Sequence, residues 1–128
     1  MTDANSKVTH KLLIVDDSKV SRMRIHAYFS SNCPTWEIRE ATSGDDAVEI
    51  FGSFKPTYVT MDVNMPGISG FEAARLMTAA NPDIKIVMLT ANVQDSSKRM
   101  ASSLQLKFVG KPVVEASLSQ VLQFLTVS

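Results

Sequence analysis

A regular alternation of short apolar runs with stretches of helical period constrains this chain more than any single residue does. Leu12-Leu13-Ile14-Val15 is apolar at every position. It lacks the in–out alternation of a strand with one wet face, so it reads as a strand covered on both sides. Tyr58–Met61 and Ile84–Leu89 are the third and fourth runs of the series, and Lys107–Val109 is a short fifth. Trp36–Ala41, the second, alternates instead, with Trp36 and Ile38 on one side and Glu37 and Arg39 on the other. That pattern suits an edge strand. Strand–helix pairs of this length imply an α/β domain with a doubly wound, five-stranded parallel sheet and helices on both faces. Right-handed crossovers then leave few topologies.

The helical segments carry readable ends. Ser18 is placed to cap a helix running to about Ser31, ahead of Pro34. Its buried side is ambiguous: Ile25, Tyr28 and Phe29 suggest one face, Val20 and Met23 another. Ala47, Ile50, Phe51 and Phe54 recur at i, i+3, i+4, i+7 and define the apolar face of the next helix. Gly70 opens a third helix, which Asn81-Pro82 stops. A fourth, from about Asn92 to Ser103, is mostly polar with a thin stripe of Val93, Met100 and Leu104. The last, from about Val114 to Thr126, sets Val114, Leu118, Val121, Leu122 and Leu125 on one face. Residues 1–10 have no periodicity and are expected to be a flexible tail, with the domain proper spanning 11–128.

Composition narrows the function classes. Thirteen basic residues balance thirteen acidic ones, so there is no electrostatic case for direct binding to nucleic acid or to a membrane surface. No apolar run approaches the roughly 18 residues of a membrane span, and the polar start lacks a secretory signal. The lone Cys33 cannot form an intrachain disulfide, which points to a reducing compartment, hence a cytoplasmic protein.

In an open parallel sheet, ligands bind beyond the carboxyl ends of the strands. Here those ends carry Asp16-Asp17, Asp62, Thr90-Ala91 and, just after the fifth run, Lys111-Pro112. Taken singly, each has an ordinary explanation: an Asp as a turn or capping residue, Thr90 as a β-branched strand residue, Lys111 as a solvated side chain. Together they bring three carboxylates, a hydroxyl and an ammonium to one edge. Mutual repulsion of the carboxylates would cost stability unless a cation joins them, and a hard divalent ion such as Mg²⁺ suits such oxygen donors. Phosphoryl transfer fits the set, because its catalysis is mostly positioning and charge stabilisation around the transferred group. Asp62 would then be the nucleophile.

Asp16-Asp17, Met61-Asp-Val-Asn-Met-Pro-Gly-Ile-Ser-Gly70, Leu89-Thr-Ala91 and Lys111-Pro112 resemble the signature of CheY-like response-regulator receiver domains, in order and spacing, over about Lys11 to Thr126. The resemblance implies a flavodoxin-like (βα)5 fold with strand order 2-1-3-4-5. It also implies a switch in two-component phosphorelays, with Asp62 as phosphoacceptor, Asp17 as direct Mg²⁺ ligand and Asp16 acting through a metal-bound water. Asn64 would lend its backbone carbonyl to the metal, for which Mn²⁺ can substitute. Thr90 and Lys111 would contact phosphoryl oxygens, and Phe108 would be the aromatic that turns inward when Thr90 moves. The implied partners are a histidine kinase or histidine phosphotransfer protein and a downstream protein target. A phosphorylation-dependent homodimer would use the face made by the fourth helix, fifth strand and fifth helix. Such a protein is not a turnover enzyme, although it catalyses its own phosphorylation and dephosphorylation.

The match has departures. The interval from Thr90 to Lys111 is about one residue short, Ser103-Leu-Gln-Leu106 replaces a Gly-Ala turn, Val113 stands where a Phe is frequent, and Ser21 and Arg24 occupy positions that are often apolar. The chain ends one helix after Lys111-Pro112, so the expectation is output without an effector domain: partner binding, phosphotransfer or a phosphate sink. Two alternatives are a degenerate receiver that binds partners without phosphorylation and a flavin- or nucleotide-binding protein of the same topology. Against the second, Asp16-Asp17-Ser18-Lys19 offers no glycine-rich loop and would repel a phosphate without a metal.

Overall fold

The five apolar runs form a single parallel sheet. In the computed structural model, which describes residues 8–63, 65, 67–91 and 106–127, they are β1 (His10–Val15), β2 (Trp36–Ala41), β3 (Tyr58–Asp62), β4 (Lys85–Thr90) and β5 (Lys107–Gly110). Their order is β2-β1-β3-β4-β5, as the resemblance implies. The alternating run and the short run are therefore the two edges. Among the described residues α1 (Lys19–Asn32), α2 (Gly44–Phe54) and α3 (Gly70–Ala80) connect the first four strands, and α4 (Glu115–Thr126) follows β5. The helix expected between Asn92 and Ser103 lies outside the described residues, as do Asn64 and most of the expected tail. Of that tail His10 already belongs to β1.

Alternate side chains of the inner strands feed two separate cores. Leu13, Val15, Val59, Met61, Ile86 and Met88 pack with Ala47, Phe54, Ala73 and Met77 of α2 and α3. Leu12, Ile14, Val87, Leu89 and Val109 pack with Ile25, Phe29, Leu118, Val121 and Leu125 of α1 and α4. This two-sided burial is why the inner runs show no alternation in sequence. On β2, Trp36 and Ile38 face the second core, while Arg39 on the opposite side lies over the Phe54 ring at 4.7 Å.

The structure settles the ambiguous face of α1. Ile25 and Phe29 are fully buried, whereas Val20 and Met23 are 56% and 59% exposed. Phe29 stacks on Trp36 with ring centroids 5.6 Å apart, and burying a ring of this size contributes about 2–3 kcal/mol. Val114 departs from the expectation of a buried position. It precedes the first turn of α4 instead of lying on its inner face, and is 46% exposed. Its own side chain cannot cap the helix, and Ser117 Oγ accepts the Val114 N–H at 2.9 Å.

Strand register brings the chemistry to one level. Val15 pairs with Met61 and Thr90 with Gly110, so Asp16 and Asp62 follow paired positions and Lys111 follows the partner of Thr90. Backbone hydrogen bonds carry this alignment past the strand ends: Asp16 N–H to Ala41 C=O at 3.1 Å, Val63 N–H to Leu89 C=O at 3.1 Å, and Lys111 N–H to Thr90 C=O at 2.7 Å.

Candidate functional site

Asp16, Asp17 and Asp62 each present a carboxylate oxygen within 4.8 Å of the others. Their settings differ. Asp16 is wholly buried, Asp62 is 5% exposed, and Asp17 faces solvent. Asp16 Oδ1 accepts the N–H of Ser18 at 2.8 Å, closing a tight turn just before α1. Ser18 in turn caps that helix, its Oγ accepting the Ser21 N–H at 3.2 Å. The turn thus follows from residue types: an Asp that folds back on the chain, then a Ser that ends the extended backbone.

Lys111 reaches into the cluster. Its Nζ lies 3.1 Å from Asp16 Oδ2 and 3.5 Å from Asp62 Oδ1. The shorter contact is an ion pair without hydrogen-bond alignment, so Asp16 Oδ2 is a buried oxygen with an unsatisfied lone pair. Three carboxylates against one ammonium leave a formal charge of about −2 at the mouth, which a divalent cation would balance. The buried Asp16 oxygen that accepts no hydrogen bond, the solvent-facing Asp17 and the all-oxygen donor set fit such an ion. Thr90 ends β4 beside this mouth and is 2% exposed.

The segment after Asp62 is shaped by glycine. Gly67 has φ of +81°, a left-handed conformation that side chains disfavour. A Cβ on Gly70 would collide with the carbonyl oxygen of Asp62, so only glycine lets the start of α3 come this close to the end of β3. Ser69 caps α3, and the Gly70 N–H donates to Val63 C=O at 3.2 Å. Gly70 therefore does more than open a helix: it sets the backbone at Asp62.

Of the residues singled out from sequence, Asp16, Asp17, Asp62 and Lys111 converge, with Thr90 at the adjoining strand end. Phe108 lies on the α2–α3 side of the sheet, half-buried, with its ring edge-to-face against Phe71 at 6.0 Å. Two residues close to the site were not anticipated. Arg22 Nη1 donates to the backbone carbonyl of Asp16 at 2.9 Å, and its Nε donates to Glu40 at 3.1 Å. The available signal was a charge one turn into α1 and a carboxylate just before Ala41 at the end of β2, both beside the acidic pair once the topology is known.

Residues 12–123 match the family model of the response regulator receiver domain. The chain is 36% identical over 85 residues to response regulator GacA of Pseudomonas aeruginosa, which covers 66% of this chain and 40% of that protein. It is 35% identical over 94 residues to a protein-glutamate methylesterase/protein-glutamine glutaminase of Vibrio cholerae, covering 73% of this chain and 25% of that protein. The chain thus spans less than half the length of these relatives. Among solved structures, chemotaxis protein CheY4 of Vibrio cholerae superposes with a TM-score of 0.80 at 25% identity, over 91% of this chain and 98% of that one. An acidic cluster at the carboxyl edge of a 2-1-3-4-5 sheet and a family match across nearly the whole sequence agree: the chain belongs to the response regulator receiver domains.

Proposed function

We propose that this receiver domain is switched by phosphorylation of Asp62, in a Mg²⁺-dependent reaction with a histidine kinase or histidine phosphotransfer protein as donor. The observation that carries the reading is the reach of Lys111 Nζ to both Asp16 and Asp62 within the three-carboxylate cluster. An ammonium 3.5 Å from an Asp62 oxygen is placed to hold an oxygen of an arriving phosphoryl group.

In this reading a carboxylate oxygen of Asp62 attacks phosphorus and forms an acyl phosphate. The bond from phosphorus to the donor's nitrogen or oxygen breaks, and the donor leaves with that electron pair. Lys111 and the Thr90 hydroxyl hold phosphoryl oxygens. Asp17 would hold the metal directly, Asp16 would reach it through a water, and the carbonyl of Asn64 would complete the protein donors. Bound Mg²⁺, or Mn²⁺ in its place, supplies charge neutralisation at the phosphoryl oxygens. Hydrolysis of the same acyl phosphate resets the switch.

Phosphorylation signals only if a partner binds the two states with different affinity. Movement of Thr90 toward the phosphate, followed by Phe108, would alter the face that the helix expected from the sequence at about 92–103 would share with β5 and α4. That face would receive a downstream protein or a second copy of the chain. A cytoplasmic location suits the free Cys33, and among the described residues no helix is long and apolar enough to cross a membrane.

The test is Asp62→Asn, which keeps size but removes the nucleophile. Intact-mass spectra after incubation with acetyl phosphate and Mg²⁺ should show one added phosphoryl group on the wild type and none on the variant. Equal labelling of the two would refute the assignment of Asp62.

A further inference from the structure

We propose that Arg22, held in place by Glu40, is a positioning residue for Asp17: it fixes the peptide joining Asp16 to Asp17 and thereby aims the acidic turn at a divalent cation. The inference rests on the phosphoryl-switch reading above and names a residue outside the set that touches metal or phosphate.

Arg22 lies one turn into α1, its N–H bonded to Ser18 C=O at 3.0 Å. From there its side chain turns back across the helix start, so that Nη1 donates to the carbonyl of Asp16 at 2.9 Å. That carbonyl belongs to the same planar peptide as the N–H of Asp17. The preceding peptide is tied by Asp16 N–H to Ala41 C=O at 3.1 Å, and the side chain of Asp16 by Ser18 N–H at 2.8 Å. With the Arg22 contact added, the backbone is held on both sides of Asp16. The peptide that orients the solvent-facing Asp17 then has a fixed plane.

Arg22 is itself clamped. Its Nε donates to Glu40 Oε1 at 3.1 Å, and the other oxygen of that carboxylate lies 2.7 Å from His26 Nδ1, one turn further along α1. The Arg22 side chain is only 14% exposed. A guanidinium has the planar fork needed to bond a carbonyl and a carboxylate at once, which an ammonium cannot reproduce in one geometry. Electrostatics alone would make Arg22 an opponent of cation binding. Its charge, however, is matched by Glu40, and its contact at the acidic turn is to a carbonyl, not to a carboxylate. Orientation is what remains, and groups that orient metal ligands from behind are commonly worth about 10–100-fold in metal affinity.

The experiment is a Mg²⁺ titration of the whole chain followed by backbone amide NMR shifts, with the acetyl phosphate labelling rate measured on the same samples. Arg22→Ala should weaken Mg²⁺ binding about tenfold, at the low end of that range because the tie is to backbone. Glu40→Gln, which keeps shape and loosens the clamp, should weaken it about threefold. Arg22→Lys should recover only part of the affinity. Because Asp62, Thr90 and Lys111 are untouched, saturating Mg²⁺ should restore the labelling rate of Arg22→Ala. A role confined to packing would lower the denaturation midpoint without shifting the Mg²⁺ midpoint, and that result overturns the proposal. So does a labelling defect that persists at saturating Mg²⁺. If Arg22→Ala does not fold, an unchanged Mg²⁺ affinity in Glu40→Gln overturns it instead. A wild-type chain that binds no Mg²⁺ would overturn the phosphoryl-switch reading first, and this inference with it.

Discussion

Asp16 and Asp17 are neighbours in sequence and opposites in environment. Asp16 is fully buried, bonded to the Ser18 N–H and paired with Lys111. Asp17 faces solvent with its carboxylate inside the same cluster. A doublet of identical residues therefore divides into a buried and a solvent-facing member, whereas the different roles proposed for the two toward a metal come from the family resemblance, not from residue chemistry. Asp17→Ala is expected to weaken Mg²⁺ binding by more than about 100-fold, and Asp16→Ala by about tenfold, because an indirect contact through water matters less than a direct bond. Calorimetric or NMR titration checks this, and equal losses in the two variants would remove the distinction. Trp36 stands at the opening residue of edge strand β2, while the acidic residues lie beyond strand carboxyl ends, so its fluorescence is a poor reporter for the measurement.

At the scale of elements, hydrophobic period was a reliable guide where one face dominates and a poor one where apolar residues are spread around the helix. α2 behaved as its i, i+3, i+4, i+7 pattern required, with Ala47 and Phe54 buried. In α1 the choice between Phe29 and Met23 depended on which face the sheet and α4 would cover. Val114 shows the same limit at a helix end, where one residue before the first turn is no longer on the helical face. Inside β3, Thr60 carries a wholly buried hydroxyl with no hydrogen-bond partner in a strand paired on both sides. An unsatisfied buried hydroxyl is a standing cost. Thr60→Val keeps the β-branched shape and should raise stability by about 1 kcal/mol in urea denaturation, with the Mg²⁺ affinity unchanged. A loss of stability would mean that the hydroxyl has a partner in solution.

At the scale of the whole molecule, two cores lie on either side of one sheet, and burial beside one of them should make stability depend on alkaline pH. Cys33 packs against the α1–α4 core, and desolvation pushes its thiol above the ordinary value of 9.0. Burial raises Tyr58 as well, from 10.0, with the charge of a Cys33 thiolate adding to it. A group that holds its proton more tightly when folded contributes stability below its unfolded value and loses it as pH rises through the folded value. Stability should therefore stay level near neutrality and fall above about pH 9. Cys33→Ala should delay that fall toward the Tyr58 range, as followed by urea midpoints across the alkaline side. A Cys33→Ala profile that overlays the wild type would assign the fall to other groups. By itself the sequence determined the α/β class, the edge position of Trp36–Ala41 and the residues at the strand ends, because apolar period and local turn chemistry are recorded in consecutive positions; the edge position of Lys107–Val109 followed from the strand order that the family resemblance implies. Tertiary structure alone decided which side of α1 is buried, why residue 70 must be glycine, and that Arg22 and Glu40 meet behind Asp16. Those outcomes depend on register and on close approach between segments distant in the chain, and no local pattern encodes such distances.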